Sequence, residues 1–146
     1  MGCDADQNNV IRLSVPSDAA VMAVVRALVD KMASLAGFDE NQRSRIVLAI
    51  DEACTNIIRH QYEGRTDGRL DIETRLCMDE GLEFVLRDYG PTRDPALFRG
   101  RDLADVRPGG LGIHIIREVM DSVEYGDAPG GGMQLRLRKA IPASTD

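Results

Sequence analysis

Tryptophan is absent from this chain, and only three tyrosines and three phenylalanines occur among its 146 residues. Its core must therefore be built from aliphatic side chains, chiefly those of Leu, Ile, Val, Met and Ala. A chain of this length is able to bury one such core without disulfides or metals. We expect one domain over residues 1–146, with its core over about 10–140.

Long apolar runs are also missing. No stretch approaches the ~20 apolar residues of a membrane-spanning helix, and the start, Met-Gly-Cys-Asp, shows no signal peptide. Cys3, Cys54 and Cys77 form no Cys-x-x-Cys pair, and their odd number and wide spacing predict neither a zinc site nor a disulfide framework. We expect a cytoplasmic protein without a membrane partner.

Basic residues are fewer than acidic ones: the chain has 18 Lys and Arg and 24 Asp and Glu, for a formal net charge of −6. Nucleic-acid binding depends on basic residues that neutralise phosphates, so this surface repels nucleic acid as a direct partner. A short basic run, Arg136, Arg138 and Lys139, has the alternation of a strand with one solvated face.

The periodicity of apolar residues predicts a mixed order of strands and helices. A strand over 10–15 precedes a helix over 18–36, with Ser17 as its N-cap, and a second helix runs from the cap Asp39 to about Tyr62. The remaining predicted elements are strands over 69–77 and 82–88, a helix after Gly112, and strands over 122–126 and 133–139. This order favours one sheet with helices on one face.

Two polar residues lie one turn apart in the second predicted helix. Glu52 and Asn56 share one side of it, because residues four apart in a helix stand above one another. The amide oxygen of Asn56 suits Mg²⁺, and the Glu52 carboxylate is a candidate base for a hydroxyl. An ordinary solvated helix face has the same pattern, so both interpretations stay open.

A second pair stands where the strand over 82–88 ends. Asp88 is able to accept a hydrogen bond from an exocyclic amine such as that of adenine, and Gly90 lets the backbone approach a ligand without a Cβ in the way. A simple Asp-x-Gly turn is the alternative.

Glycines crowd the approach to the third predicted helix, after a glycine- and proline-rich stretch over 89–110 that is typical of a functional loop. Gly109, Gly110 and Gly112 fall within four positions, where free backbone N–H groups and the helix dipole favour an anion. Arg107 is a candidate for a charge-assisted contact to a phosphate. A flexible turn with a capping glycine explains only one of the three glycines.

The P-loop motif, the Rossmann glycine fingerprint and the motif set of eukaryotic-type protein kinases are all absent. Instead, a helix with Glu-x-x-x-Asn, a strand ending in Asp-x-Gly, a loop, and Gly-Gly-x-Gly entering a helix resemble the Bergerat ATP-binding fold of the GHKL superfamily. Segments 51–60, 88–95 and 109–125 resemble the anti-sigma-factor serine kinases, the group of RsbW and SpoIIAB. That resemblance implies an α+β two-layer sandwich with a mixed, largely antiparallel sheet.

The resemblance also implies roles for the candidate residues. Glu52 would activate or orient the attacking serine hydroxyl, Asn56 would hold Mg²⁺ bridging the ATP phosphates, and Asp88 would contact the adenine amine. Gly90 would pack against the base. The residues implied in phosphate binding are Arg107, Gly109, Gly110, Leu111 and Gly112, with 93–108 as a lid.

Proteins of this group dimerise, sequester an alternative sigma factor and phosphorylate a serine of an anti-anti-sigma (STAS-domain) protein. We therefore expect a Mg-ATP-dependent protein-serine kinase that is also an anti-sigma factor in a partner-switching system. A nucleotide-binding anti-sigma regulator without kinase activity is the alternative, against which Glu52 at the base position argues. The ATPase part of a histidine kinase is a third hypothesis, but neither His60 nor His114 is placed as a phosphoacceptor.

Overall fold

The computed structural model describes residues 9–77, 80–90 and 110–141, the side chains of 110–113 excepted. In chain order the elements are β1 (Val10–Pro16), a 3₁₀ turn (Ala19–Val21), α1 (Met22–Ala36), α2 (Glu40–Gln61), β2 (Arg69–Cys77), β3 (Gly81–Asp88), α3 (Gly110–Val119), β4 (Ser122–Asp127) and β5 (Met133–Ala140). Every predicted helix and strand is present. The predicted first helix begins as the 3₁₀ turn, and α3 begins at Gly110 rather than after Gly112.

The strands form one sheet in the order β1-β2-β3-β5-β4. The α+β sandwich is confirmed, although all pairings among the described strands are antiparallel, without the parallel pair that a mixed sheet requires. The reason is topological: after β3 the chain passes through α3 and the edge strand β4, so β5 returns beside β3 in the opposite direction. Arg87 there stands opposite Gln134, which brings the end of β3 to the start of β5.

Helices α1 and α2 pack on one face of the sheet, and α3 packs against α2. Strand residues alternate accordingly: Leu82, Phe84 and Leu86 are fully buried toward the helices. The aliphatic core predicted from composition is confirmed, joined by Phe38 and Phe84. Within the described part of the chain, no helix is both long and apolar enough to cross a bilayer.

Capping side chains set where the helices begin. Asp39 and Gln42 form a reciprocal capping box at the start of α2, with bonds of 2.8 and 2.9 Å, a feature worth about 1 kcal/mol. The predicted cap Ser17 was wrong: Asp18 caps instead, accepting from the backbone N–H two residues on (2.9 Å). Ser17 is buried, and its Oγ accepts from the N–H of Gly68 at 3.0 Å, which ties β1 to the start of β2.

The outer face of the sheet carries the predicted basic alternation. Arg136 and Arg138 donate to the Glu83 carboxylate at 2.9 and 2.6 Å. Glu83 is only 2% exposed although it faces away from the helices, because the arginine side chains cover it. The expected solvated face is thus a paired one, and Lys139 does not belong to it: Lys139 stands opposite the inward-facing Leu82 and lies 3.6 Å from Asp121.

The two cysteines that the structure describes differ in state. Cys54, in α2, is free and buried, and burial, with a further contribution from the nearby Asp51 charge, raises the pKa of its thiol to about 12. Cys77 is disulfide-bonded, which the number and spacing of the cysteines did not predict.

Candidate functional site

Asp88, the last residue of β3, is a buried carboxylate with 1% of its surface exposed. Its Oδ1 accepts hydrogen bonds from three N–H groups: the Gln61 side chain at 2.9 Å, and the backbones of Gly90 at 3.1 Å and Met133 at 3.2 Å. Burial raises the pKa of Asp88, and the three N–H groups oppose that shift only in part. Oδ2 accepts no hydrogen bond from the described residues, which leaves it for a ligand.

Two glycines allow backbone segments to approach one another closely at this end of β3. A Cβ at Gly132 would lie 2.1 Å from the carbonyl oxygen of Asp88, and the φ angle of Gly132 is +79°. A Cβ at Gly90 would lie 2.9 Å from the backbone carbonyl oxygen of Gln61. Contacts inside the protein therefore require glycine at both positions. The expected packing of Gly90 against a base stays a prediction.

Asp88 lines a small apolar pocket. The side chains that line it come from α2 and three strands, and they include Ile57, Leu86, Tyr125 and Met133. The enclosed space is about 10 Å³, room for a group no larger than a water molecule, and its apolar walls with one polar group at a fixed position suit the amine-bearing edge of a larger ring. The exocyclic amine of adenine is such a group.

Glu52 and Asn56 lie on α2 one turn apart, as predicted. Asn56 is buried (2% exposed), and its Oδ1 accepts a long hydrogen bond of 3.4 Å from Arg59. The Glu52 side chain is half-buried and makes no hydrogen bond or ion pair with the described residues. The adjacent Asp51, by contrast, is held by Arg26 of α1 at 3.0 Å. Of these two adjacent carboxylates, Glu52 is therefore the one that is available to a substrate.

The donor chemistry of Asn56 fits magnesium. Among the residues that the structure describes, no group of three or more His, Cys, Asp and Glu side chains is arranged to hold a metal ion. Mg²⁺ needs no such cage, because it takes one or two protein oxygens and completes its shell with phosphates and water. The long bond from Arg59 is weak enough for the amide oxygen to exchange it for a cation.

The glycine-rich segment is described only in part. The backbone of Gly110, Leu111 and Gly112 forms the first turn of α3, where helical N–H groups have no partner within the helix. Arg107 and Gly109 lie outside the described residues, as does the expected lid over 93–108. Because α3 packs against α2, its first turn belongs to the same side of the sheet as Glu52 and Asn56.

Sequence reasoning missed two contributors to the site, Gln61 and Gly132. Gln61 lies five residues after Asn56, outside the four-residue spacing of Glu52 and Asn56, and in the sequence it looks like an ordinary polar residue at a helix end. Gly132 stands in a run of three glycines that indicates a turn and nothing more. Only the alignment of β5 with β3 shows that Gly132 lies against the backbone of Asp88.

Comparisons with known proteins agree with this arrangement. A family model described as a histidine kinase-like ATPase domain matches residues 15–139. The serine-protein kinase RsbW of Halalkalibacterium halodurans is 30% identical over 132 residues, covering 85% of this chain and 80% of that protein. RsbW of Listeria innocua serovar 6a is 29% identical over 128 residues, with coverage of 82% and 81%.

One solved structure supports the fold. A crystal structure of the RsbU and RsbW domains of a Mycobacterium tuberculosis protein matches with a TM-score of 0.63 at 19% identity, covering 92% of this chain and 33% of that one. The family model spans most of the chain, and the curated relatives match along most of their own length. The chain therefore belongs to the histidine kinase-like ATPase domain family and is similar within it to the serine-protein kinases RsbW.

Proposed function

We propose that this protein is a Mg-ATP-dependent protein-serine kinase that also acts as an anti-sigma factor. The observation that carries the proposal is the buried Asp88 carboxylate at an apolar pocket: one of its oxygens accepts three hydrogen bonds, and the other accepts none from the described residues. Helix α2, which supplies a wall of that pocket, also carries Glu52 and Asn56. The similarity to serine-protein kinases RsbW points to the same activity.

The amine-bearing edge of the adenine base would lie at the apolar pocket. There Asp88 Oδ2 accepts a hydrogen bond from the adenine amine, a bond strengthened by the charge of the carboxylate. The side chains of Ile57 and Met133, which line that pocket, would pack against the ring. The phosphates would extend toward the first turn of α3. The groups proposed to hold them are Arg107, Gly109, Gly110, Leu111 and Gly112.

The transfer end of the site depends on α2. Asn56 Oδ1 would hold Mg²⁺, which when bound neutralises charge on the phosphates and positions the one that is transferred. Glu52 would orient the serine hydroxyl and take its proton. Phosphoryl transfer needs little beyond such positioning and charge neutralisation, so these two side chains and the phosphate-binding backbone suffice.

Partner proteins follow from the same family resemblance. We propose an alternative sigma factor as the protein that is sequestered and an anti-anti-sigma protein with a STAS domain as the phosphorylated substrate. We also propose a cytoplasmic homodimer, for which sedimentation equilibrium at micromolar concentration is the test. A purely monomeric mass over that range would remove the dimer from the proposal without affecting the nucleotide site.

The kinase activity is tested by incubating the protein with γ-labelled ATP, Mg²⁺ and its cognate anti-anti-sigma protein. We expect label on a serine of the partner, and a loss of about 100-fold or more in transfer rate for Glu52→Gln. The matched control is Asp51→Asn, which changes the neighbouring carboxylate that Arg26 holds and should leave transfer unchanged. Nucleotide binding without any transfer by the parent protein would favour the binding-only regulator instead.

A further inference from the structure

Gln61, the last residue of α2, has a polar side chain that is wholly buried (0% exposed). Its Nε2 donates to Asp88 Oδ1 at 2.9 Å, while its Oε1 has no partner in the described part of the chain. An unpartnered buried acceptor costs stability, which a leucine of similar size would avoid. If the Gln61 amide group were flipped, its Oε1 would face Asp88 Oδ1, and two acceptors would repel each other. The orientation of Gln61 is therefore dictated by Asp88.

The C-terminal end of α2 also holds Tyr89 and Gly90, the two residues that follow Asp88. The Tyr62 hydroxyl accepts a hydrogen bond from the backbone N–H of Tyr89 at 2.8 Å. Gly90 approaches α2 so closely that a Cβ would lie 2.9 Å from the Gln61 carbonyl oxygen. These contacts fix the backbone over 88–90. What they leave adjustable is the rotation of the Asp88 carboxylate about its Cβ–Cγ bond.

Gln61 supplies the shortest of the three hydrogen bonds that oppose this rotation. It is also the one side-chain donor among them, since Gly90 and Met133 donate from the backbone at 3.1 and 3.2 Å. Asp88 lines the apolar pocket, and Oδ2 is the oxygen that no described group engages. The direction of Oδ2 in the pocket is thus set through Oδ1 by the amide of Gln61.

We propose that Gln61 is a positioning residue for purine selection, which fixes the Asp88 carboxylate so that Oδ2 accepts from an amino group at position 6 of the base and repels a carbonyl there. This inference rests on the proposed ATP-binding function and adds a determinant of base specificity to it. Without the Gln61 amide, the Asp88 carboxylate is free to rotate about its Cβ–Cγ bond. Oδ2 then no longer points in one direction toward the adenine amine, whereas the contacts to the triphosphate are unchanged.

The test compares Mg-ATP with Mg-ITP, which carries the same triphosphate and has a carbonyl at position 6. Dissociation constants for the full chain are measured by calorimetry for the parent, Gln61→Leu and Thr74→Val. Thr74 is a matched control, because it is equally buried, its Oγ1 has no partner in the described residues, and it lies away from Asp88 on β2. We expect the parent to favour ATP by about tenfold or more. Gln61→Leu should bring that ratio close to one by losing ATP affinity, while ITP affinity stays the same or rises as the repulsion of its carbonyl is relieved.

Each other outcome has a defined meaning. An unchanged ratio in Gln61→Leu, or equal losses for both nucleotides, would overturn the positioning role and leave the ATP site in place. A parent that binds both nucleotides equally would overturn it as well. A parent that binds neither would instead end the proposed function. Binding of ITP reports on the fold of each variant, and Gln61→Met replaces Gln61→Leu if the branched side chain prevents folding.

Discussion

Replacing Asp88 by asparagine removes one charge from the candidate site while preserving its shape. The amide oxygen of asparagine is able to accept from the three N–H groups that now bond to Oδ1. That arrangement turns the NH₂ group to the place of Oδ2, where it meets the adenine amine donor to donor. A lost hydrogen bond to a charged acceptor is worth about 1.5–3 kcal/mol. The expected loss in ATP affinity is therefore roughly 10- to 150-fold.

Calorimetric titration with Mg-ATP measures this loss, and urea unfolding shows whether the fold survives. Burial raises the pKa of Asp88 in the folded protein above its ordinary value of 3.8. Protonated Asp88 therefore contributes stability at pH values below 3.8, and this contribution is lost as the pH rises through the pKa of the folded protein. Asparagine stays neutral, so at pH 7 the free energy of unfolding of Asp88→Asn should equal or exceed that of the parent. Undiminished ATP binding by a folded variant would refute the contact between Asp88 and the base.

Three further changes test other parts of the structure. Asn56→Leu should weaken ATP binding strongly in Mg²⁺ and little in EDTA, and equal losses in the two titrations would remove Asn56 as a metal ligand. Gly132→Ala places a Cβ 2.1 Å from the Asp88 carbonyl oxygen, so urea denaturation should show a loss of about 1–3 kcal/mol or more. Its control, Gly126→Ala, has nothing within 4 Å and should change stability by no more than about 0.5 kcal/mol; similar losses for both would contradict the close approach. Tyr62→Phe removes a hydroxyl that bonds to backbone on both β2 and the residue after β3, for an expected loss of about 1–3 kcal/mol and a lower Tm, whereas an unchanged Tm would contradict this role.

Local pattern was sufficient to predict the helices and strands and the candidate residues on them. The spacing of Ile46, Ile50 and Ile57 defines α2 without reference to any distant contact, and all three are buried. Asp39 caps that helix through a neighbour three residues away, so its role was visible in the sequence. Asp88 was predictable because an acidic residue closing an apolar strand is itself a local feature.

Contacts between distant segments were not predictable in this way. The bonds from Gln61 and Met133 to Asp88 span 27 and 45 positions of the chain, and they depend on how α2 and β5 align with β3. The prediction of Ser17 as an N-cap was wrong for the same reason, because its hydroxyl accepts a hydrogen bond from Gly68, 51 positions away in the turn before β2. Asp18 then takes the local capping role.

The central claim is that the end of β3 and the side of α2 bind one nucleotide together. A crystal structure with Mg²⁺ and a non-hydrolysable ATP analogue tests it most directly. We predict the purine amine within hydrogen-bond distance of Asp88 Oδ2 and the metal ion on Asn56 Oδ1. An analogue bound elsewhere on the molecule, or bound here with its base turned away from Asp88, would contradict the account.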